Sequence, residues 1–533
     1  MASYKLRDHL GTFTAPLAIK HGTRPAVRDD GATPGLHPGG IRTFADLESA
    51  VAIFAAAHAA LGRVEGDRVL IAIDNRIDTL LHASALARLG AVPALVNPRL
   101  TPAEAAHIAQ ATSAVGAVGD SDVLARLELA DVVACVSTEE LGASLTSRFA
   151  EGSLVAVAPE VRDPDEVCLL LATSGTTGKP KAAALTSAGL LSMAGLLGLL
   201  PVGRSTGLRA GRDRLLAPLP IAHVMGFAVL LNALVAGVEV LHRARFDPVD
   251  VLDTIEHLQP NIVVMVPTMY ADLEAAGADA RDLRSVQVWA SAADAMPDAR
   301  ARRFQRRGGL VSIAGRRVGR AAFVDGYGMV ELSGLAALRI FPPTIIDLPA
   351  IAVVKPGLEV RTVDKDRKPC RPGAIGELEF RGGGVLRGYE GRPDAGPDAD
   401  GWFATGDRAR LWPGRLLQFA GREKDRLKVG GFSVFPAEVE QALLTGPGVR
   451  EVAVVGLPDD RLGDRIVAMV VAEPGFSASS FLAFSRDAVA GYRRPHGVLT
   501  VDAIPRGNNA KVDRDKATDA ALAMVADGLL VEA

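Results

Sequence analysis

Leu169-Leu-Leu-Ala-Thr-Ser-Gly-Thr-Thr-Gly-Lys-Pro-Lys181 is the stretch on which the rest of the chain is read. An apolar run of strand character, Val167 to Leu171, stops at hydroxyls, two glycines and two lysines. Such a loop turns tightly, gathers backbone N–H groups and surrounds them with hydroxyl donors and positive charge. Phosphate oxygens need that combination. A Walker A loop does not fit. Only two residues separate Gly175 from Gly178, and Pro180 stands where a magnesium-binding Ser or Thr would follow the lysine. The bland alternative is a polar surface loop.

The 533 residues exceed what one hydrophobic core organises, so about two to four domains or subdomains are expected. With 48% hydrophobic and 23% charged residues, the composition is that of a soluble globular protein. A net charge of −3 carries no polyanion-binding signature, so nucleic acid is not an expected partner. Cys135, Cys168 and Cys370 lie far apart without metal-ligand spacing, which suits reduced thiols in a cytoplasmic protein. Met1 to Asp8 lacks the apolar core of a signal peptide. Leu215 to Val238 holds no charged side chain apart from His223, yet Pro218, Pro220, His223 and Asn232 interrupt it. A strand and loop followed by a buried helix is expected there, and no membrane span.

Helical and strand patterns alternate through the first third. Thr43 is a plausible cap for a helix running to Leu61. Gly66-Asp67 turns into a strand, Arg68 to Ile73, and a helix from Asp78 to Leu89 leads to a buried strand within Gly90 to Pro98. This order predicts an α/β fold with a largely parallel sheet covered on both faces. Ile262 to Pro267 and Val286 to Asp294 read as further buried strands. Pro372 to Arg381, with the glycines at 382–384 and Gly388-Tyr389, reads as a β-rich subdomain. Val452 to Asp459 and Arg465 to Val471 read as strands of a small terminal α+β domain.

Thr173-Ser-Gly-Thr-Thr-Gly-Lys-Pro-Lys181 resembles the phosphate loop of the AMP-forming adenylating superfamily: acyl-CoA synthetases, peptide-synthetase adenylation domains and luciferases. Gly401-Trp-Phe-Ala-Thr-Gly-Asp407, Gly421-Arg-Glu-Lys-Asp-Arg-Leu-Lys-Val-Gly-Gly431 and Ile504-Pro-Arg-Gly-Asn-Asn-Ala-Lys511 extend the resemblance from Thr43 to Lys511. It implies a large N-terminal adenylation domain, residues 1–421, of parallel-rich sheets with helices and a small β-rich subdomain. A hinge at 422–426 follows, then a small mobile α+β domain, residues 427–533, carrying a catalytic lysine.

The same resemblance assigns roles. Thr173, Ser174, Gly175, Thr176, Thr177, Gly178, Lys179 and Lys181 would hold phosphates, Thr173 also taking part in catalysis. Ala293 and Asp294 fall in the adenine-pocket loop, where Ser291-Ala-Ala-Asp294 replaces the usual Gly-Gly-Ala-Pro. In Asp325-Gly-Tyr-Gly-Met-Val-Glu331, Tyr327 would lie flat on adenine between Gly326 and Gly328, with Asp325 accepting from the amino group and Met329 beside nucleotide and acyl group. Glu331 supplies a hard oxygen for Mg²⁺. Val330 replaces the usual threonine, and Ser187 stands near the place of a usual aromatic or histidine. Asp407 would accept from both ribose hydroxyls, Arg422 would hold ribose or phosphate, and Phe419 would flank the nucleotide. Asp425 would be the pivot, with Gly430 and Gly431 lining a pantetheine tunnel. Lys511 would be the catalytic lysine, with Ala510 for the usual glycine. Taken alone, Asp407 reads as a turn residue and Lys511 as a solvated charge. His223 alone reads as a core histidine; the family pattern puts it and Phe227 at the acyl pocket. Ala228 follows Phe227 where amino-acid-activating members carry an aspartate, so an uncharged acyl chain is expected.

The implied activity is an AMP-forming acid–thiol ligase, making a carbon–sulfur bond between coenzyme A and a hydrophobic acid of fatty, aryl, alicyclic or polycyclic/terpenoid type. ATP and Mg²⁺ complete the cofactor set. An adenylating ligase of a natural-product pathway, passing its acyl group to a carrier protein's phosphopantetheine or to an acyltransferase, is the alternative. A nucleotide-binding protein without catalysis is a third. Oligomeric state stays open, a homodimer being one option.

Overall fold

Thr43 starts a helix by a reciprocal cap. Its hydroxyl accepts the Asp46 N–H at 3.1 Å while the Asp46 carboxylate accepts the Thr43 N–H at 2.7 Å, so the helix Phe44–Ala60 begins where the sequence predicts. The structure is a computed structural model and describes residues 5–29, 40–151, 155–173, 181–193, 201–202, 205–294, 296–313, 316–344, 350–392, 395–430, 432–459, 461–489, 491–507 and 511–533. The chain divides into two units. The first holds Met1–Met296, Ala301–Glu359 and Arg381–Phe403; the second holds Pro297–Arg300, Val360–Phe380 and Ala404–Ala533.

The first unit is α/β, as expected. One sheet has seven strands in the order Gly388–Tyr389, Lys181–Thr186, Val167–Thr173, Val92–Leu95, Arg68–Ala72, Gly116–Gly119, Cys135–Ser137. Its centre is parallel: Arg68–Ala72 pairs with Val92–Leu95 and Gly116–Gly119, and Val92–Leu95 with Val167–Thr173. Continuous apolar runs suit strands buried on both faces, and Leu70, Ala94, Ala117 and Leu170 share one core cluster. Lys181–Thr186 and Gly388–Tyr389 run antiparallel to their neighbours at the far edge.

A second sheet of this unit runs Gly40–Thr43, Pro25–Asp29, Glu239–His242, Arg214–Ala217, Ile262–Met265, Val288–Ala292, Ala322–Met329, Gly334–Phe341, Ile351–Val354. Beneath it, Phe304 meets Tyr270 and Trp289 edge-on at centroid distances of 4.8 and 5.0 Å. The Tyr270 hydroxyl donates to the Ala290 carbonyl at 2.7 Å, which removes the cost of burying it. The apolar stretch beginning at Leu215 is a strand, Arg214–Ala217, then a buried helix, Val224–Val235. Asn232 is tolerated inside that helix because its amide donates to the Leu190 and Ala228 carbonyls at 2.8 Å each. Among the described residues, no helix is long and apolar enough to cross a membrane.

Ser187 has a structural place. Its hydroxyl accepts the Leu10 N–H at 3.0 Å and donates to Cys168 Sγ at 3.1 Å, tying the first residues of the chain to the sheet. Burial pushes the Cys168 thiol up to about 12, so it is an inert core group.

In the second unit, Ile375–Gly382, Phe403–Trp412 and Leu416–Arg422 lie side by side. A separate six-stranded sheet is built on the long antiparallel pair Val449–Asp459 and Gly463–Ala472. Alternation along that pair serves two cores. Val454, Ile466, Ala468 and Val470 pack with Val439, Leu443 and Phe481 of the helices Pro436–Leu443 and Ala478–Ala488. Val455, Val467 and Met469 pack with Ala517 and Ala521 of the helix Arg514–Ala526. Residues 404–421 group with this unit, and the 422–426 segment lies inside it.

Candidate active site

The loop that decides the sequence reading leaves the sheet at the carboxyl end of Val167–Thr173. Thr173 and Lys181 are directly opposed partners in the antiparallel pair, so the loop starts and ends at one point. Thr173 is buried there and Lys181 half-buried. Ser174, Gly175, Thr176, Thr177, Gly178 and Lys179 lie outside the described residues.

Lys181 opens a chain of contacts that the sequence did not announce. Its Nζ sits 5.1 Å from the ring centroid of Tyr389, a cation–π arrangement. The Tyr389 hydroxyl donates to Glu331 Oε1 at 2.9 Å. Burial and then the neighbouring Glu331 charge push the phenol above its ordinary range, so it stays protonated and donates. The backbone repeats the connection. Tyr389 stands opposite Ala183, the Glu390 N–H donates to the Ala182 carbonyl at 2.9 Å, and the Leu386 N–H donates to the Glu331 carbonyl at 2.9 Å. Lys181 also borders a pocket of about 300 Å³ shared with His107, Gln110, Glu390 and Arg392, whose lining includes neither Tyr327 nor Glu331.

Glu331 lies in the turn Val330–Leu332 between Ala322–Met329 and Gly334–Phe341. These strands come very close. A Cβ on Gly328 would stand 2.0 Å from the Gly334 carbonyl oxygen, and one on Gly326 would stand 2.4 Å from Leu335 Cδ2. A bulge between Tyr327 and Gly328 locally changes the strand's direction. Asp325 faces Arg339 across the pair, and its carboxylate accepts from the guanidinium at 2.9 Å. Ser291 and Ala292 pair with Asp325 and Gly326 on the other side, which brings the Ala293-Asp294 loop beside them. Ala293 has φ +78°, a left-handed conformation that glycine adopts without cost. The loose sequence match at this loop thus has a physical consequence.

His223 caps the Val224–Val235 helix, its Nδ1 accepting the Met225 N–H at 3.3 Å, and it stays half-buried. Phe227 is fully enclosed. A Cβ on Gly334 would lie 3.4 Å from Ala228 Cβ, so this helix sits directly on the turn bearing Glu331.

In the second unit, Asp407 is buried and pairs with Arg422, Nε to Oδ1 at 3.3 Å, the two being opposed in their hairpin. Its N–H donates to the Thr405 hydroxyl at 3.1 Å. Phe419 is 37% exposed. Gly430 is exposed with φ +56°, and Gly431 and Ala510 lie outside the described residues. Lys511 sits in a hairpin closed by the Gly507 N–H on its own carbonyl at 2.9 Å, by the Asp513 N–H on the Pro505 carbonyl at 2.9 Å, and by an Arg506–Val512 bridge. Next to this hairpin, Arg514 donates to Asp425 at 3.3 Å, to both Glu440 oxygens at 2.7 and 3.0 Å, and to the Val454 carbonyl at 2.8 Å. Burial opposes the charge, but Glu440 and Asp425 outweigh it and hold the guanidinium above its ordinary range.

Residues 18–390 match the model of the AMP-binding enzyme family, and 438–511 that of the AMP-binding enzyme C-terminal domain. The chain belongs to the AMP-binding enzyme family. Among relatives of this AMP-binding enzyme, a feruloyl-CoA synthase of an Amycolatopsis species is 33% identical over 495 residues, covering 90% of this chain and 94% of that protein. A CoA ligase of Rhodococcus jostii, named for a methyl-dioxo-octahydroindenyl propanoate, is 30% identical over 531 residues, covering 94% and 97%. Among solved structures, the o-succinylbenzoate coenzyme A synthetase of Bacillus subtilis superposes with a TM-score of 0.77 at 24% identity, covering 95% of this chain and 97% of that one.

The residues of this AMP-binding enzyme fit a magnesium ion. Glu331 Oε1 accepts from Tyr389, and no group of three or more His, Cys, Asp or Glu converges among the described residues. One carboxylate is the protein share when substrate phosphates supply the other oxygens.

Two stability effects follow. Ala293→Gly should relieve about 1 kcal/mol of left-handed strain and raise resistance to urea. Arg514→Leu leaves Glu440, 14% exposed, facing an apolar side chain. It should lower stability by about 3 kcal/mol, seen as an earlier urea transition of the second unit.

Proposed function

We propose that this AMP-binding enzyme is an ATP-dependent acid–thiol ligase that converts a hydrophobic carboxylic acid to its coenzyme A thioester through an acyl-adenylate. What carries the reading is the Glu331 carboxylate, held by Tyr389 beside Lys181 at the mouth of the phosphate-loop hairpin. Relatives at 30–33% identity, named as a feruloyl-CoA synthase and as a CoA ligase for a fused-ring propanoate, support the same reaction class. The Val224–Val235 helix has no charged side chain and would offer an acyl chain an apolar wall.

In the first half-reaction, a carboxylate oxygen of the acid attacks the α-phosphorus of ATP. The bond from that phosphorus to the bridging oxygen breaks, and pyrophosphate leaves. The obstacle is one anion approaching another, so catalysis rests on positioning and charge neutralisation. Lys181 and the 174–179 loop would hold the phosphates, Glu331 would hold Mg²⁺, and Lys511 would face the developing charge. Mg²⁺, when bound, offsets the phosphate charge. Tyr327 and the Ala293-Asp294 loop would flank adenine. Asp407 would bind ribose, its charge balanced by Arg422 until nucleotide arrives. In the second half-reaction the thiol sulfur attacks the acyl carbon, the carbon–oxygen bond to phosphate breaks, and AMP leaves as the thiol proton passes to solvent. Asp425 is proposed as the pivot exchanging Lys511 for the face bearing Gly430 and Gly431.

Lys511→Ala should lower acid-dependent pyrophosphate release by about 10²- to 10³-fold, while a supplied acyl-adenylate still reacts with coenzyme A near the parent rate. Equal loss of both half-reactions would remove Lys511 from its proposed role. A pyrophosphate assay over aryl, alicyclic and fatty acids tests the substrate class. Release that needs an acid, with thioester formed only when coenzyme A is added, is the expected outcome. ATP binding without turnover on any acid would refute the ligase reading.

A further inference from the structure

Tyr389 belongs to none of the sequence strings assigned to the nucleotide, yet its side chain touches two groups to which the proposed function gives the phosphates and the metal. Its ring face carries the Lys181 ammonium at 5.1 Å and its hydroxyl donates to Glu331 Oε1 at 2.9 Å. Tyr389 is only half-buried, so filling a core is not its main task. The segment that presents it is fixed at both ends. Arg387 and Glu390 donate backbone N–H groups to Ala184 and Ala182 on the loop's return strand, each at 2.9 Å, and Leu386 donates to the Glu331 carbonyl at 2.9 Å. The phenol therefore cannot follow one partner without shifting the other.

We infer that Tyr389 is a positioning residue that fixes the metal-holding oxygen of Glu331 relative to the Lys181 ammonium, coupling cation binding to phosphate-loop geometry. This rests on the reading of Glu331 as the magnesium carboxylate. The hydroxyl takes one acceptor site on Oε1, and the carboxylate keeps lone pairs with which it would hold the cation. A carboxylate pinned in this way loses less freedom on ligation, and partners of this kind usually change metal affinity or activity by about 10- to 100-fold. The ring makes a separate contribution. It holds the ammonium by its face without adding a negative charge next to the phosphates that Lys181 is proposed to meet.

The test separates these contributions and includes a readout independent of turnover. Mn²⁺ binding to the complex with a non-cleavable ATP analogue, α,β-methylene ATP, is followed by electron paramagnetic resonance. Tyr389→Phe keeps the ring and should weaken Mn²⁺ binding by about tenfold. It should lower kcat with an unchanged KM for the acid and an unchanged melting temperature. Tyr389→Leu should also raise the KM for ATP, because the ring is lost. On a Glu331→Gln background, Tyr389→Phe should change Mn²⁺ affinity by less than about twofold, because the hydroxyl acts through that carboxylate. A full tenfold loss on this background, or no loss in Tyr389→Phe alone, overturns the inference. If Glu331→Gln alone leaves Mn²⁺ affinity intact, the assignment of Glu331 falls, and the inference with it. If Glu331→Gln weakens Mn²⁺ and Tyr389→Phe does not, only the role of Tyr389 fails.

Discussion

A loop rich in glycine and hydroxyls can order a polyphosphate only if its two ends are held still, and here the ends are neighbours. Thr173 and Lys181 face each other in one antiparallel pair whose first strand is anchored in the parallel core through Leu170 and Leu171. The edge strand Gly388–Tyr389 then covers the return strand and reaches the turn bearing Glu331. Backbone pairing thereby sets the loop ends and the strand bearing Tyr389, and the Tyr389 side chain then meets the Lys181 ammonium and the Glu331 carboxylate. Preorganisation of this kind matters most where the chemical step is itself mainly electrostatic.

The second unit shows the same economy in its buried charges. Asp407 with Arg422, and Arg514 with Asp425 and Glu440, are ion pairs between adjacent strands or around one guanidinium. Pairs like these add little net stability compared with apolar packing, but removing one partner is expensive. Their value lies in fixing position. Arg514, three places after Lys511, is bonded to Asp425 of the segment proposed as a hinge, so the segment bearing Lys511 is tied to that proposed pivot. Asp407 is neutralised by a residue that also belongs to the expected nucleotide set, which keeps a buried carboxylate tolerable in the absence of ribose.

Much of this was legible in the sequence, for identifiable reasons. The hairpin ends at Thr173 and Lys181 stand out because a strand-like run gives way to glycine, threonine and lysine in a fixed order. The parallel core shows itself because its strands are short, apolar and separated by helices. Thr43 and the helix after Pro220 were readable from capping and hydropathy. Long-range pairing was not. Tyr389 and Glu331 are 58 residues apart in the chain, and nothing in the string Gly388-Tyr389 names a partner. The pairing of Asp407 with Arg422 depends on hairpin register, which a bulge after Arg408 shifts by one residue. The left-handed φ at Ala293 was hidden because alanine there looks like an ordinary small residue. Ser187 stood out as a departure from a family pattern, whereas its contacts with Leu10 and Cys168 are those of a core residue.

Everything proposed about activity depends on two anions meeting at one phosphorus atom, and the fate of a single oxygen reports on that directly. A hydrophobic acid carrying ¹⁸O in its carboxylate, supplied with ATP, Mg²⁺ and coenzyme A, should yield AMP containing one labelled oxygen and unlabelled pyrophosphate. Label appearing in inorganic phosphate alongside ADP, or AMP formed without label, would contradict attack by the carboxylate on the α-phosphorus.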